Sequence, residues 1–190
     1  MRVTGGTERG RRLKAPAGSR VRPTSDKVKQ ALFNILGERV ADALFLDLFA
    51  GVGGIGIEAL SRGAGRVVFV DASRASLQVL NENLEQTGFK EQSQTVLSKA
   101  ESFLKKPSGL YDVVYLDPPY ADEMQPLLEL IAGANILKPD SIVIAEHFKK
   151  QPSPASAGGL TLYREANYGD TVLAFYTFSS QKSGDSHAIA

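Results

Sequence analysis

The sequence contains no cysteine, so neither a disulfide nor a thiolate metal site can form. Its only histidines are His147 and His187, and with two imidazoles and no thiol a transition-metal site is not expected. Neither suits a catalytic base, since His147 ends a predicted strand and His187 lies in a polar tail. No apolar run reaches the length that crosses a bilayer, and residues 1–23 lack an apolar h-region. The arginine-rich, acid-poor start has the charge of a transit peptide, but Gly5, Gly6, Gly10, Pro16 and Gly18 forbid the amphipathic helix that one needs. The expectation is a soluble, cytoplasmic monomer with no membrane and no metal partner.

Acids are scarce at one end. Residues 1–30 hold nine bases against Glu8 and Asp26, while the remainder holds 13 bases and 19 acids, so the net charge of +1 conceals a segregated one. Such segregation points to a polyanion partner. Arg9, Arg11, Arg12, Lys14, Arg22 and Lys27 are the candidate RNA-binding residues, and arginine predominates in the first part, where guanidinium suits bidentate phosphate binding. Residues 1–23 read as a basic hairpin or extended arm with almost nothing apolar to bury, 24–178 as the main domain, and 179–190 as a disordered tail.

With 190 residues and 43% apolar content the chain can bury one good core. Thr24 or Ser25 caps a helix, DKVKQALFNIL, in which Val28, Ala31, Leu32, Ile35 and Leu36 fall on one face. Strands are then predicted at 44–48, 66–70, 94–97, 113–116 and 141–146, with helices starting at Gly54, Ser73, Ala100 and Asp122. Residues 149–159 are a loop by composition, and LTLYREANYGDTVLAFYTF forms two strands about a Gly169-Asp170 turn. The expected fold is a doubly wound, Rossmann-like α/β sheet of seven strands, five parallel and an antiparallel pair, with ligands at the carboxyl ends of the strands.

Two stretches carry chemistry. In LFLDLFAGVGGIG, a strand ends in an acid and runs into a glycine-dense turn at a helix start. Gly51, Gly53 and Gly56 satisfy G-x-G-x-x-G, and Asp71 ends the next strand, so the loop formally passes the dinucleotide fingerprint. Asp47, Leu48, Phe49 and Ala50, however, separate strand from glycine. An acid there would repel a pyrophosphate and suits a ligand with a positive charge, which favours S-adenosylmethionine over NAD. Asp71 fits either ligand, as an acceptor for ribose hydroxyls.

The second stretch is VVYLDPPY, at the end of the fourth strand. Pro118 and Pro119 remove two donors, so the carbonyls of Asp117 and Pro118 can serve as acceptors. An exocyclic amine needs acceptors. Bonds to the Asp117 carboxylate and the Pro118 carbonyl would draw it towards tetrahedral geometry and aim its lone pair, with Tyr120 stacking on the base.

D-L-F-A-G together with D-P-P-Y resembles the class I S-adenosylmethionine-dependent aminomethyltransferases. With VTGGTERGRRL, RPTSDKVKQALFNIL, DLFAGVGGIGIEALSRGA and YGDT added, the chain resembles the bacterial 16S ribosomal RNA guanine-N2 methyltransferase family, which modifies one hairpin-loop guanine of the small subunit. The resemblance implies that Asp47, Phe49, Ala50, Gly51 and Gly53 wall the methionine side of the cofactor, that Asp71 holds its ribose and that Ala72 contributes to the adenine wall. It implies 16S ribosomal RNA or the small subunit as partner. Where related enzymes often place an aspartate for the adenine amine, this chain has Lys99, and lysine cannot accept that bond; Ala100 and Glu101 are the alternatives. Adenine-N6 methylation of DNA or RNA, and a non-catalytic RNA-binding module with this fold, remain the rival readings.

Overall fold

Short β-branched runs alternating with amphipathic helices bury both kinds of surface by stacking helices on the two faces of one sheet. The structure is a computed structural model and describes residues 1–15, 24–107, 109–119 and 123–178. Within these, the chain runs through α1 (Asp26–Leu36), a 3-10 turn (Gly37–Val40), β1 (Leu44–Leu48), α2 (Gly54–Ser61), β2 (Arg66–Asp71), α3 (Arg74–Thr87), β3 (Ser93–Leu97) and α4 (Ala100–Lys105). It continues through β4 (Tyr111–Leu116), α5 (Met124–Gly133), β5 (Leu137–Phe148), β6 (Ser156–Ala157), β7 (Leu160–Tyr168) and β8 (Thr171–Phe178). The strand order is β3-β2-β1-β4-β5-β8-β7-β6, parallel through β5 and antiparallel beyond it. The order reverses between β1 and β4, the switch point where open α/β sheets bind ligands. No helix among the described residues is long and apolar enough to cross a membrane.

The sheet has eight strands rather than the expected seven. The extra one, β6, is two residues long and lies inside the stretch read as loop. Ala157 pairs with Leu160 across a Gly158-Gly159 turn in which both glycines have positive φ, the geometry of a tight hairpin.

Alternation along the strands divides the core in two. Phe45, Phe69, Val113, Tyr115, Ile144 and Phe175 face α1, α2 and α3, while Leu46, Val70, Val114, Leu116, Val143 and Tyr176 face α4 and α5. Ser25 caps α1 by accepting from the Val28 amide, and Val28, Leu32, Phe33 and Leu36 are buried, whereas Ala31 and Ile35 are only half-buried.

The N-terminal segment is less free of the core than its composition suggests. Arg2 and Arg12 form an antiparallel bridge, Val3 exchanges backbone hydrogen bonds with Gly10 and Arg11, and Val3 and Leu13 are buried in the α1 side of the core. Two well-placed apolar residues are enough because the rest of the docking is polar. Glu58, fully buried on α2, accepts from the Thr4 amide and hydroxyl at 2.7 Å each and from Arg62 Nε at 2.8 Å, with Lys29 Nζ 3.3 Å away. Lys29 also donates to the Arg2 carbonyl. Burial pulls the Lys29 ammonium down against the attraction of Glu58. Burial pushes Glu58 up, but the Thr4 bonds, Arg62 and Lys29 outweigh it and hold the carboxyl below its ordinary value. On the next turn of α2, Ser61 donates to the Gly5 carbonyl and accepts from the Glu8 amide.

Candidate active site

At the end of β1 the chain is committed by packing to one path. Asp47 is buried at 1% exposure, and its Oδ2 accepts from the Gly56 amide at 2.9 Å. Burial pushes its carboxyl up to about 7; the Gly56 bond opposes the rise and the charge of Asp71 adds to it. Phe49 then adopts φ 64°, a left-handed conformation that a bulky side chain rarely takes and that marks a strained, over-determined loop. The Ala50 amide donates to the Val70 carbonyl and the Gly51 amide to Asp71 Oδ2, at 2.7 Å in the latter case, which ties the loop to the end of β2. Gly53 is the N-cap of α2, and one turn on a Cβ at Gly56 would sit 2.2 Å from the Phe69 ring, so only glycine lets the helix approach the sheet.

The other Asp71 oxygen accepts from the Ser73 amide at 2.7 Å, and its carbonyl accepts from the Ser98 amide. Ala72 beside it is exposed. Lys99 occupies the N-cap of α4 without a side-chain capping bond, with Ala100 buried and Glu101 half-buried in the first turn. The glycine loop, Asp71-Ala72 and Ala100-Glu101 therefore follow one another across the carboxyl ends of β1, β2 and β3.

Asp117, Pro118 and Pro119 emerge from β4 next to this edge, with Pro118 buried and Pro119 exposed. Tyr120 and Arg22 lie outside the described residues, as does the tail from 179 to 190. Burial, then Glu146 and Asp47, raise the Asp117 carboxyl well above the usual carboxylate range. Glu146 is a residue that sequence reasoning passed over. In register Leu116 faces Ala145, which sets Glu146 of β5 beside Asp117. Tyr115 Oη donates to Glu146 at 2.5 Å, and Thr24 Oγ1, just ahead of α1, lies 3.4 and 3.5 Å from its two oxygens. Burial raises the Glu146 carboxyl, opposed by the bonds from Tyr115 and Thr24. Tyr115 is itself raised well above its ordinary value by burial and by the negative charges of Glu146 and Asp117. An acid inside the apolar run SIVIAEHF was the available signal. A charge in a buried strand needs a reason.

Asp47 and Glu146, both buried, and the half-buried Asp117 thus gather three acids at one edge of the sheet, each with its ionised form disfavoured. A positive ligand entering there would relieve them all.

Arg9, Arg11, Arg12 and Lys14 are exposed along the hairpin, with Arg11 paired to Glu8 at 2.9 Å and Lys14 to Glu82 at 2.7 Å. Lys27 is exposed in the first turn of α1. Buried Asn83 on α3 donates to the Lys14 and Val52 carbonyls and accepts from the Lys14 amide, so one side chain touches both the hairpin and the glycine loop.

The model of a family described as "Conserved hypothetical protein 95" matches residues 1–177. The chain belongs to that family. YlbH of Bacillus subtilis (strain 168), which carries an rRNA-methyltransferase name, is 40% identical over 181 residues, spanning 93% of this chain and 98% of that protein. "Ribosomal RNA small subunit methyltransferase D" of Escherichia coli (strain K12) is 32% identical over 186 residues, covering 97% of this chain and 93% of its own length. The solved structure of yhhF from Escherichia coli superposes with a TM-score of 0.85 at 32% identity, over 95% of this chain and 99% of that one.

Proposed function

We propose that this chain transfers a methyl group from S-adenosylmethionine to the exocyclic N2 amine of a guanine in 16S ribosomal RNA of the small subunit. The observation that carries the reading is the juxtaposition of the Asp47 loop with Asp117-Pro118-Pro119 at the switch point of the sheet. The relatives named as ribosomal RNA methyltransferases support the substrate class.

The residues present fit the cofactor. Asp47, buried at the end of β1 with its charged form disfavoured, suits a ligand that carries a positive charge, and the glycine loop after it keeps the backbone free of side chains. S-adenosylmethionine bound there would supply an electrophilic methyl carbon to the amine. Asp117 and the Pro118 carbonyl accept the two N–H bonds of the amine, and the Asp117 carboxylate takes the proton that the methylated nitrogen sheds. The exposed bases of the hairpin hold phosphates while the target guanine is splayed into the site.

Small-subunit RNA incubated with the protein and S-adenosylmethionine, then digested to nucleosides, should yield N2-methylguanosine at one position. N6-methyladenosine instead would overturn the reading in favour of the adenine enzyme. Asp71→Ala should weaken S-adenosylhomocysteine binding by roughly 1.5–3 kcal/mol, the scale for losing hydrogen bonds to a charged acceptor. Calorimetric titration checks this, and an affinity equal to wild type removes Asp71 from the ribose site.

A further inference from the structure

Asp117 and Pro118 account for the amine and leave Glu146 without a task. Its position is costly: 7% exposed, beside a second acid, with only the Tyr115 and Thr24 hydroxyls to hold it and no cation paired with it among the described residues. Replacing such a group with an apolar one would ordinarily be neutral or stabilising. The two hydroxyls fix the carboxylate from the β4 side and the α1 side. They occupy two of its roughly four acceptor positions, and no other described residue takes the rest. Two acceptors, Asp117 just past the end of β4 and Glu146 on β5, then stand side by side at the sheet edge, about 5 Å apart at the backbone as adjacent strands are.

The target's own chemistry says what a second acceptor is for. Guanine presents two kinds of donor on adjoining atoms of its Watson–Crick edge, the N2 amine and N1–H. Adenine presents its amine beside a bare N1 lone pair. We infer that Glu146 accepts the N1–H of the guanine whose amine is held at Asp117, making it the residue that selects guanine; this rests on the guanine-N2 reading. An adenine presented to the same pair would set its N1 lone pair against a carboxylate. Tyr115 and Thr24 are then positioning residues that act through Glu146.

The test uses 2-aminopurine, which keeps the 2-amine of guanine but carries a lone pair at N1. Small-subunit RNA is prepared with guanine or 2-aminopurine at the position that the wild-type protein methylates. Wild type should favour guanine by about 10–100-fold in kcat/KM, the usual discrimination of a good base-edge hydrogen bond. In Glu146→Gln the amide can donate to the N1 lone pair, so that preference should shrink by about tenfold or more while the KM for S-adenosylmethionine stays within about twofold. Glu146→Asp keeps the charge but draws the acceptor back by one methylene; it should slow guanine and leave 2-aminopurine unchanged. A wild type that uses both bases equally overturns the inference before any variant is made. So does either variant lowering both substrates by the same factor, as a purely structural role requires. No transfer to guanine by wild type would instead overturn the guanine-N2 reading, and this inference with it.

Discussion

Asp117→Ala is expected to cut single-turnover methyl transfer by about 100–1,000-fold while the affinity for S-adenosylhomocysteine stays within about threefold. The amine of a nucleobase is conjugated to its ring and weakly nucleophilic, so the protein must bend it out of conjugation by holding its protons. Asp117 lies just past the end of β4, where burial and the neighbouring acids Glu146 and Asp47 raise its proton affinity. It is therefore matched to hold an amine and then to take its proton. None of this is needed to bind the product cofactor, which is why rate and affinity should separate. Rapid-quench measurement of one turnover checks it, and survival of the rate within about tenfold removes the proposed role from the D-P-P stretch.

The second large effect belongs to the hairpin. Alanine at Arg9, Arg11, Arg12 and Lys14 together should flatten the dependence of log RNA affinity on log salt by roughly 0.7–0.9 for each phosphate that is no longer neutralised, with cofactor binding unchanged. The side chains are exposed, and the hairpin is docked by Val3, Leu13, Thr4 and the Lys14 backbone, so the quadruple variant keeps its fold. Arg11 and Lys14 are already paired with Glu8 and Glu82 and must exchange those partners for phosphate, so Arg9 and Arg12 should account for more of the change. Filter binding or anisotropy at several salt concentrations reads the slope. A slope and affinity equal to wild type would leave the hairpin without a part in RNA binding.

Much of this was legible in the chain because local signals and burial agreed. LFLDL followed by glycines, the helix that begins about Ser73 and buries Leu77, Leu80 and Leu84, and the Gly169-Asp170 turn each read the same way in sequence and in structure. What escaped depends on residues distant in the chain. Thr24 and Ser25 both read as possible helix caps; Ser25 performs that task, and what the sequence could not show is that Thr24 turns to Glu146, 122 residues away. Val3 and Leu13 are too few to announce a buried face, and they are buried because Glu58, Lys29 and Ser61 give the surrounding backbone its hydrogen bonds. β6 is shorter than any periodicity can detect.

The docking of the hairpin also sets an order on synthesis. Thr4 waits for Glu58, 54 residues later, and the backbone of Lys14 for Asn83, 69 residues later. The hairpin, which leaves the translating ribosome ahead of α2 and α3, is thus among the last parts of this half to settle. At elongation rates of about 5–20 residues per second, the segment stays undocked for roughly 3–14 s with its arginines uncovered. A nascent chain that stalls before α3 is complete would carry the basic residues without the surface that aligns them, and would bind nearby polyanions with no site to deliver them to.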